Sequence, residues 1–349
     1  MPGVVHFVRS AAPDRFNGPD VFLRQIAETL RMAGADTHEH TLGFYGAPTA
    51  ADRDAAIALL RGFADDSRVL VEAAAVPAFV FAAPREARRL RLAATFHRAG
   101  HHLEAVSEED VSRVFAAERD TYRHFDRVLT TSLWGAMALG PLGVLPDQIG
   151  LILPAADPVP EAQGGDGGAL LMMGQVVPRK GHLHVLEALA AQTDWHLTIA
   201  GSLDYAPAYV GELKTLIAQR YPEHVTLTGP LSASELRGQV HRADLLVSAS
   251  TQDAAGLSVM TALAAGVPSL VTDVGGVAQT LPANAGLVAE SPDALGPLLN
   301  GWFREPAARQ KLKVGALHAR KRMRTLALAR RELTRELEIA DRLLGRNKP

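Results

Sequence analysis

Short apolar runs alternate along this chain with longer segments whose apolar residues recur at helical spacing, and that alternation predicts the elements. Val4-Val5-His6-Phe7-Val8 is a buried strand. A polar loop follows, and then Phe22, Ile26, Leu30 and Ala33 lie on one helical face, with Pro19 suited to the first turn and Gly34 to the end. Thr37 to Leu42 alternates as a second strand, Asp52 to Phe63 carries helical spacing, and Arg68 to Val71 is a third strand. Pro77 to Arg89 predicts a helix broken at Pro84. Leu90 to Phe96 and Phe125 to Ser132 are further strands, and Ile149 to Asp157 ends the first half with a strand and a proline. Strand, glycine-bearing loop and helix form the opening unit of a doubly wound sheet, which binds ligands at the carboxyl ends of its strands.

The second half repeats the scheme. Residues 161–168, EAQGGDGG, have no apolar periodicity and read as a linker. After them come a strand over Ala169 to Met173, a turn over Gly174 to Gly181, and a helix with Leu183, Leu186 and Leu189 on one face. His196 to Gly201 and Val225 to Leu231 are strands, and Ser234 to Ala243 is a helix. Leu245-Leu246-Val247 then runs into an Ala-Ala-Gly-Leu turn and a segment with Leu257, Met260, Leu263 and Ala264 at helical spacing; Gly266 and Pro268 stop it and Ser269 to Thr272 resumes as a strand. From Asp293 to Leu344 the spacing is helical. An α/β chain of two doubly wound, Rossmann-like domains results, as its 349 residues also favour. The expected boundaries are 1–160, 161–325 and a final helical segment, 326–349.

Composition changes this picture little. The chain has no cysteine, which excludes disulfides, thiolate metal sites and cysteine nucleophiles. The N-terminus leads straight into a strand with no signal pattern, and the most apolar window, Val69 to Ala83, is interrupted by Glu72 and Pro77 and is too short to span a bilayer, so a cytoplasmic location is expected. Charge is more informative. Fourteen Lys or Arg against five Asp or Glu lie between Arg304 and Lys348, within a chain of net charge -2. Two readings stay open for that segment: a solvated helical face, or a surface resting on anionic headgroups at the inner face of a membrane. His101, His102 and Glu104 are close in sequence, but a loop without further ligands gives a metal site little support, and no metal is expected.

The chemistry concentrates in Thr251 to Gly276. Free amides at the start of the helix near Leu257, with the helix dipole behind them, attract an anion, and Gly256 lets a phosphate come close. Asp253, Ala254-Ala255-Gly256-Leu257, Thr261, Ala264-Ala265-Gly266-Val267-Pro268 and Gly275-Gly276 resemble the donor-site signature of retaining, nucleotide-sugar-dependent glycosyltransferases of the GT-B fold, the group 1 glycosyl transferases. In that family an acid stands where Thr261 does, so one of the two signature acids is missing. The turn Gly174 to Gly181 resembles the family's phosphate-binding turn, with Lys180 matching its lysine and Gln175 standing in place of its arginine; Arg179 could supply the lost cation if turned inward.

The resemblance implies two domains facing a cleft, the first binding acceptor, the second binding the donor, and a final helix crossing back onto the first domain. It implies a hexosyltransferase moving a sugar from a UDP- or GDP-linked donor to a saccharide, lipid-linked or small-molecule acceptor, with no cofactor, in polysaccharide or glycoconjugate synthesis. The catalytic set carried over is His97, Lys180 and Asp253. The donor-binding set is Gly18, Gln175, Arg179, Gly201, Leu231, Ala255, Gly256, Leu257 and Thr261, with the base near Leu231 and the ribose near Thr261. His97 on its own also reads as a polar loop residue. Asp253 would accept from sugar hydroxyls, and Lys180 with the amides of Gly256 and Leu257 would meet the diphosphate. Losing a charged hydrogen bond at Thr261 costs about 1.5–3 kcal/mol. A binding or partner subunit of the same fold is therefore the alternative function.

Overall fold

A computed structural model describes residues 4–12 and 18–345. Two compact units divide the chain: Pro19–Leu153 with the first strand and the residues from Ala327 onward, and Pro154–Leu326. Each is built on a six-stranded, all-parallel sheet.

In the first unit the strands are β1 (Val4–Ser10), β2 (Asp36–Leu42), β3 (Arg68–Val71), β4 (Arg91–Phe96), β5 (Arg127–Thr130) and β6 (Ile149–Leu151), in the order β2-β1-β3-β4-β5-β6. The chain pairs β1 with β2 on one side and then crosses to β3 on the other, so the order reverses at β1/β3. Both faces are covered, as alternation requires. Val5 and Phe7 of β1 pack with Phe22, Ile26 and Leu30 of the helix Gly18–Met32. Val8 packs on the opposite face with Val71, Phe79 and Phe96. The helix Leu326–Gly345 belongs to this unit: Leu333 is buried with Val5, Phe7 and Ile152, and Glu336 pairs with Arg127.

The second unit has β7 (Ala169–Met173), β8 (His196–Ala200), β9 (Val225–Gly229), β10 (Leu245–Ser248), β11 (Ser269–Thr272) and β12 (Gly286–Ala289), in the order β12-β11-β10-β7-β8-β9. Its reversal falls between β7 and β10. Leu170, Leu197, Leu245 and Val247 face one core, and Leu171, Leu246 and Val271 the other.

Three expectations are corrected. Pro77 to Arg89 is a 3₁₀ turn, Ala73–Phe79, and a four-residue helix, Ala83–Glu86. The turn Ala73–Phe79 is apolar and buried throughout, and Pro77 removes a helical amide. The expected linker 161–168 is strapped to the second unit, because the Asp244 carboxylate accepts from the amides of Gly165, Gly167 and Ala169 at 2.5–3.0 Å. The tail after Asp293 is three helices, Leu295–Arg304, Pro306–Arg320 and Leu326–Gly345, interrupted at Pro306 and after Arg320. Of the polar loop before the first helix, residues 13–17 lie outside those described.

Candidate active site

The β7/β10 reversal carries the predicted donor residues of the second unit. β7 ends at Met173, and the turn after it leads through a 3₁₀ segment, Pro178–Lys180, into the helix His182–Leu189. β10 leads through 249–256 into the helix Leu257–Ala264. The two loops are tied together, since the Thr251 amide donates to the Arg179 carbonyl at 2.7 Å. That tie brings side chains 73 residues apart into contact: Lys180 Nζ is 2.5 Å from Asp253 Oδ2.

Asp253 is held from several directions. Its Oδ1 accepts from the amides of Gly256 at 3.1 Å and Ala255 at 3.3 Å. Its carbonyl accepts from the Gly276 amide at 3.1 Å. Gly256 has φ +62° and Gly275 φ +58°, a region costly for a residue with a Cβ, and a Cβ on Gly275 would lie 1.9 Å from the Asp253 carbonyl oxygen. Burial opposes ionisation of Asp253, but the Lys180 ammonium, the Gly256 amide and the Arg179 charge overcome it and hold the carboxyl down at about 2. It is a carboxylate at any ordinary pH.

Arg179 turns to the neighbouring amide. Its Nη2 donates to Gln175 Oε1 at 2.7 Å and its Nη1 to the Gln252 carbonyl at 3.3 Å. The guanidinium thus lies against Gln175 and acts on both Asp253 and His182. His182, unread in the sequence, is buried beside it and contacts the Tyr209 hydroxyl at 3.3 Å. Burial, with the charges of Lys180 and Arg179, pushes its imidazole down to about 3, so it stays neutral beside the two cations.

The other predicted donor residues are placed as follows. Gly201 ends β8, where a Cβ would strike the Gly174 carbonyl, so these two strand ends meet backbone to backbone. Leu231 packs its side chain into the core with Val240 and Leu246. Leu257 begins its helix. Thr261 Oγ1 donates back to the Leu257 carbonyl at 3.0 Å, the usual resort of a hydroxyl inside a helix. Its proton is therefore committed to its own helix, and toward a ligand it offers acceptor capacity only.

His97 lies at a strand end of the sheet in the first half of the chain. Gly18 opens the helix Gly18–Met32. His97 follows β4, is 5 % exposed, meets Thr131 Oγ1 at 3.4 Å and sits edge-on to Phe22 at 4.9 Å. Around it are residues the sequence reading passed over. Arg9 at the end of β1 pairs with Asp20, both buried, and with Glu39 at 3.5 Å. Glu72, directly after β3, accepts from the Ser10 amide at 3.2 Å and hydroxyl at 3.4 Å, across the β1/β3 reversal. An acid immediately after the apolar run Val69 to Val71 was the available signal for Glu72. The neighbouring His101 and Glu104 are occupied: Glu118, fully buried, binds His101 Nδ1 at 2.5 Å and the Gly100 amide, and Arg98 forks onto Glu104 at 2.8 Å.

The basic tail has structural partners. Arg320 donates to the carbonyls of Ala264 and Val159, Lys313 to that of Gln163, and Arg309 to those of Trp302 and Phe303. Three of its cations therefore fasten backbone within the second unit. No helix among the described residues is long and apolar enough to cross a membrane.

Two six-stranded parallel sheets in one chain, each with its order reversing beside the first strand, define the GT-B fold of glycosyltransferases. The chain superposes on a glycosyltransferase from Rickettsia africae with a TM-score of 0.70 at 16 % identity, covering 99 % of each chain. It superposes on Anabaena HepE in complex with UDP and glucose with a TM-score of 0.73 at 15 % identity, covering 96 % of this chain and 99 % of that one. Residues 158–318 match the family described as Glycosyl transferases group 1, and Lys180 and Asp253 lie within that stretch. The D-inositol 3-phosphate glycosyltransferase of Arthrobacter sp. is 31 % identical over 161 residues, 43 % of this chain and 38 % of that protein. The matched stretch thus spans well under half of that relative's length.

Proposed function

We propose that the protein is a retaining hexosyltransferase that takes a sugar from a UDP- or GDP-linked donor without a metal. The observation that carries this reading is the convergence of Lys180, the Arg179 charge and the Gly256 helix tip on one carboxylate at the β7/β10 reversal. Strand ends at such a reversal are where doubly wound sheets bind their ligands. The leaving group of the transfer is a nucleoside diphosphate, whose developing charge requires fixed cations and amides. Lys180 and Arg179 supply two cations from one turn, and the helix Leu257–Ala264 supplies its dipole. Asp253, ionised throughout the working range, accepts from hydroxyls of the donor sugar. The group 1 match and the UDP bound in the HepE structure support the donor class. His97 is assigned to the transfer from the first unit, which we propose binds the acceptor, a saccharide, a lipid-linked sugar or a small molecule such as the inositol phosphate named for the Arthrobacter relative. A cytoplasmic location fits this donor, and contact of the basic tail with anionic lipid remains part of the proposal for a lipid-linked acceptor.

The alternative, a binding subunit with weak or no turnover, is favoured by one observation: Thr261 has given its hydroxyl proton to Leu257. Saturation-transfer NMR with UDP, GDP and their sugars tests the site. Lys180→Ala is expected to abolish or nearly abolish nucleotide binding; binding at parental strength in this variant would refute the assignment. Slow hydrolysis of donor without acceptor, unaffected by EDTA, separates enzyme from binding subunit.

A further inference from the structure

We infer that Asp253 is an internal stand-in for the ligand's phosphate, so that the unliganded site is latched by the protein's own anion and a nucleoside diphosphate binds by displacing it from Lys180. This inference rests on the nucleotide-binding reading above and specifies how that site is regulated.

The Lys180–Asp253 contact satisfies the same demands that a bound phosphate would. One carboxylate oxygen lies 2.5 Å from the ammonium, and the other accepts from two successive amides, those of Ala255 and Gly256, at the turn that opens the helix Leu257–Ala264. Both side chains are largely buried, 15 % and 13 % exposed. A partly buried ammonium is stabilised by an anion in direct contact, and here the carboxylate supplies one. A ligand oxygen reaching the ammonium therefore competes with a carboxylate already in place. A diphosphate carries more charge than one carboxylate, and the Arg179 charge, fastened against Gln175, adds to its attraction at longer range.

Exchange of partners gives the latch a purpose. While Lys180 holds Asp253, the carboxylate is committed to the ammonium and is not aimed at a sugar. When the diphosphate takes the ammonium, Asp253 Oδ2 is released while Oδ1 stays on the amides of its own loop. The carboxylate then accepts from the donor's sugar hydroxyls. Recognition of diphosphate and recognition of sugar are thereby coupled in order, and no covalent step is involved.

The sign of the expected effect separates this inference from the plain view of Asp253 as a binding residue. Asp253→Asn keeps an oxygen for the Gly256 amide but removes the charge that holds Lys180. Calorimetric titration of the full chain with UDP and GDP is expected to show affinity about tenfold higher in Asp253→Asn than in the parent, while affinity for the intact nucleotide sugar relative to its diphosphate falls. Asp253→Ser, smaller and also uncharged, is expected to give the same gain and guards against a local rearrangement in the first variant. Diphosphate affinity unchanged or reduced in both variants would overturn the latch. Parental protein that binds neither nucleotide, or a Lys180→Ala variant that binds as the parent does, would instead overturn the nucleotide-binding reading, so the two failures are told apart by which titration goes flat.

Discussion

The two sheets of this chain answer the same topological problem in different ways. In both, strand order reverses beside the first strand, and in both an acid closes the gap left there: Glu72 accepts from Ser10 across β1/β3, and Asp253 accepts from Lys180 across β7/β10. In the first unit the strand ends are finished by side chains. Arg9, Asp20, Glu72, His97 and Thr131 are all buried, and they come from well-separated parts of the sequence. In the second unit they are finished largely by backbone, with Gly201, Gly256 and Gly275 allowing loops to touch where a Cβ would collide or strain, and with one turn presenting both cations. Buried side chains fix one set of strand ends by pairing, whereas glycine turns fix the other by close backbone approach.

The largest effect expected from breaking this comparison lies in the first unit. Asp20→Ala leaves the Arg9 guanidinium buried without its main partner, a change that costs about 3–5 kcal/mol in such settings. Chemical denaturation is expected to show that loss in the transition of the first unit, while nucleotide affinity, carried by the second, holds at the parental value. A parallel loss of nucleotide binding would show that the two strand-end clusters do not work separately.

The same contrast decides what the sequence disclosed. The donor loops were legible because their residues are close in sequence and of telling types: a glycine turn ending in Arg179-Lys180-Gly181, and Asp253 three residues before Gly256. The contact between Lys180 and Asp253 could be expected only through family resemblance, since periodicity does not say which loops meet. At the first unit's strand ends the polar residues come from separate strands and share no motif, so His97 was singled out and Arg9, Asp20 and Glu72 were not. The sheets were legible wherever apolar runs were framed by polar turns. β12, four residues with two partly exposed, and the helix Pro207–Arg220, with only Val210 and Leu213 buried, gave too little pattern to be read. Ala73 to Ala83 is apolar throughout, with no period to distinguish a helix from a buried turn.

A middle-sized effect comes from the opposite end of the first sheet, where burial of an acid outweighs the cation beside it. Asp126 precedes β5 and accepts from the Leu92 amide at 2.8 Å; burial pushes its carboxyl up to about 6 against the help of that amide and of Arg91. A folded value above the unfolded one means that its favourable contribution is complete below about pH 4 and is lost as pH rises from there through about 6. Asp126→Asn keeps an acceptor for Leu92 and never ionises. Its stability relative to the parent is expected to grow between pH 4 and pH 7 by about 3 kcal/mol and then level off, a profile that thermal melts across this range would check. A difference constant with pH would mean that Asp126 is solvated when charged.

The smallest effect, and the one that sharpens the second unit most, is that of Arg179. Its guanidinium is fastened by Gln175 and the Gln252 carbonyl, so its position is set before any ligand arrives. A fixed cation at the edge of the site adds long-range attraction without the direct contact that Lys180 makes, and at moderate salt such a charge contributes about 1 kcal/mol, or some fivefold in affinity. Arg179→Ala is therefore expected to weaken UDP binding about fivefold at low ionic strength, with the deficit shrinking as salt is raised. The deficit left by Lys180→Ala should persist, because a directly paired, partly buried charge is screened far less. If the Arg179 deficit also persisted at high salt, the arginine would be gripping the diphosphate directly. The cradle would then be built from two equal cations, with Gln175 serving to aim the second.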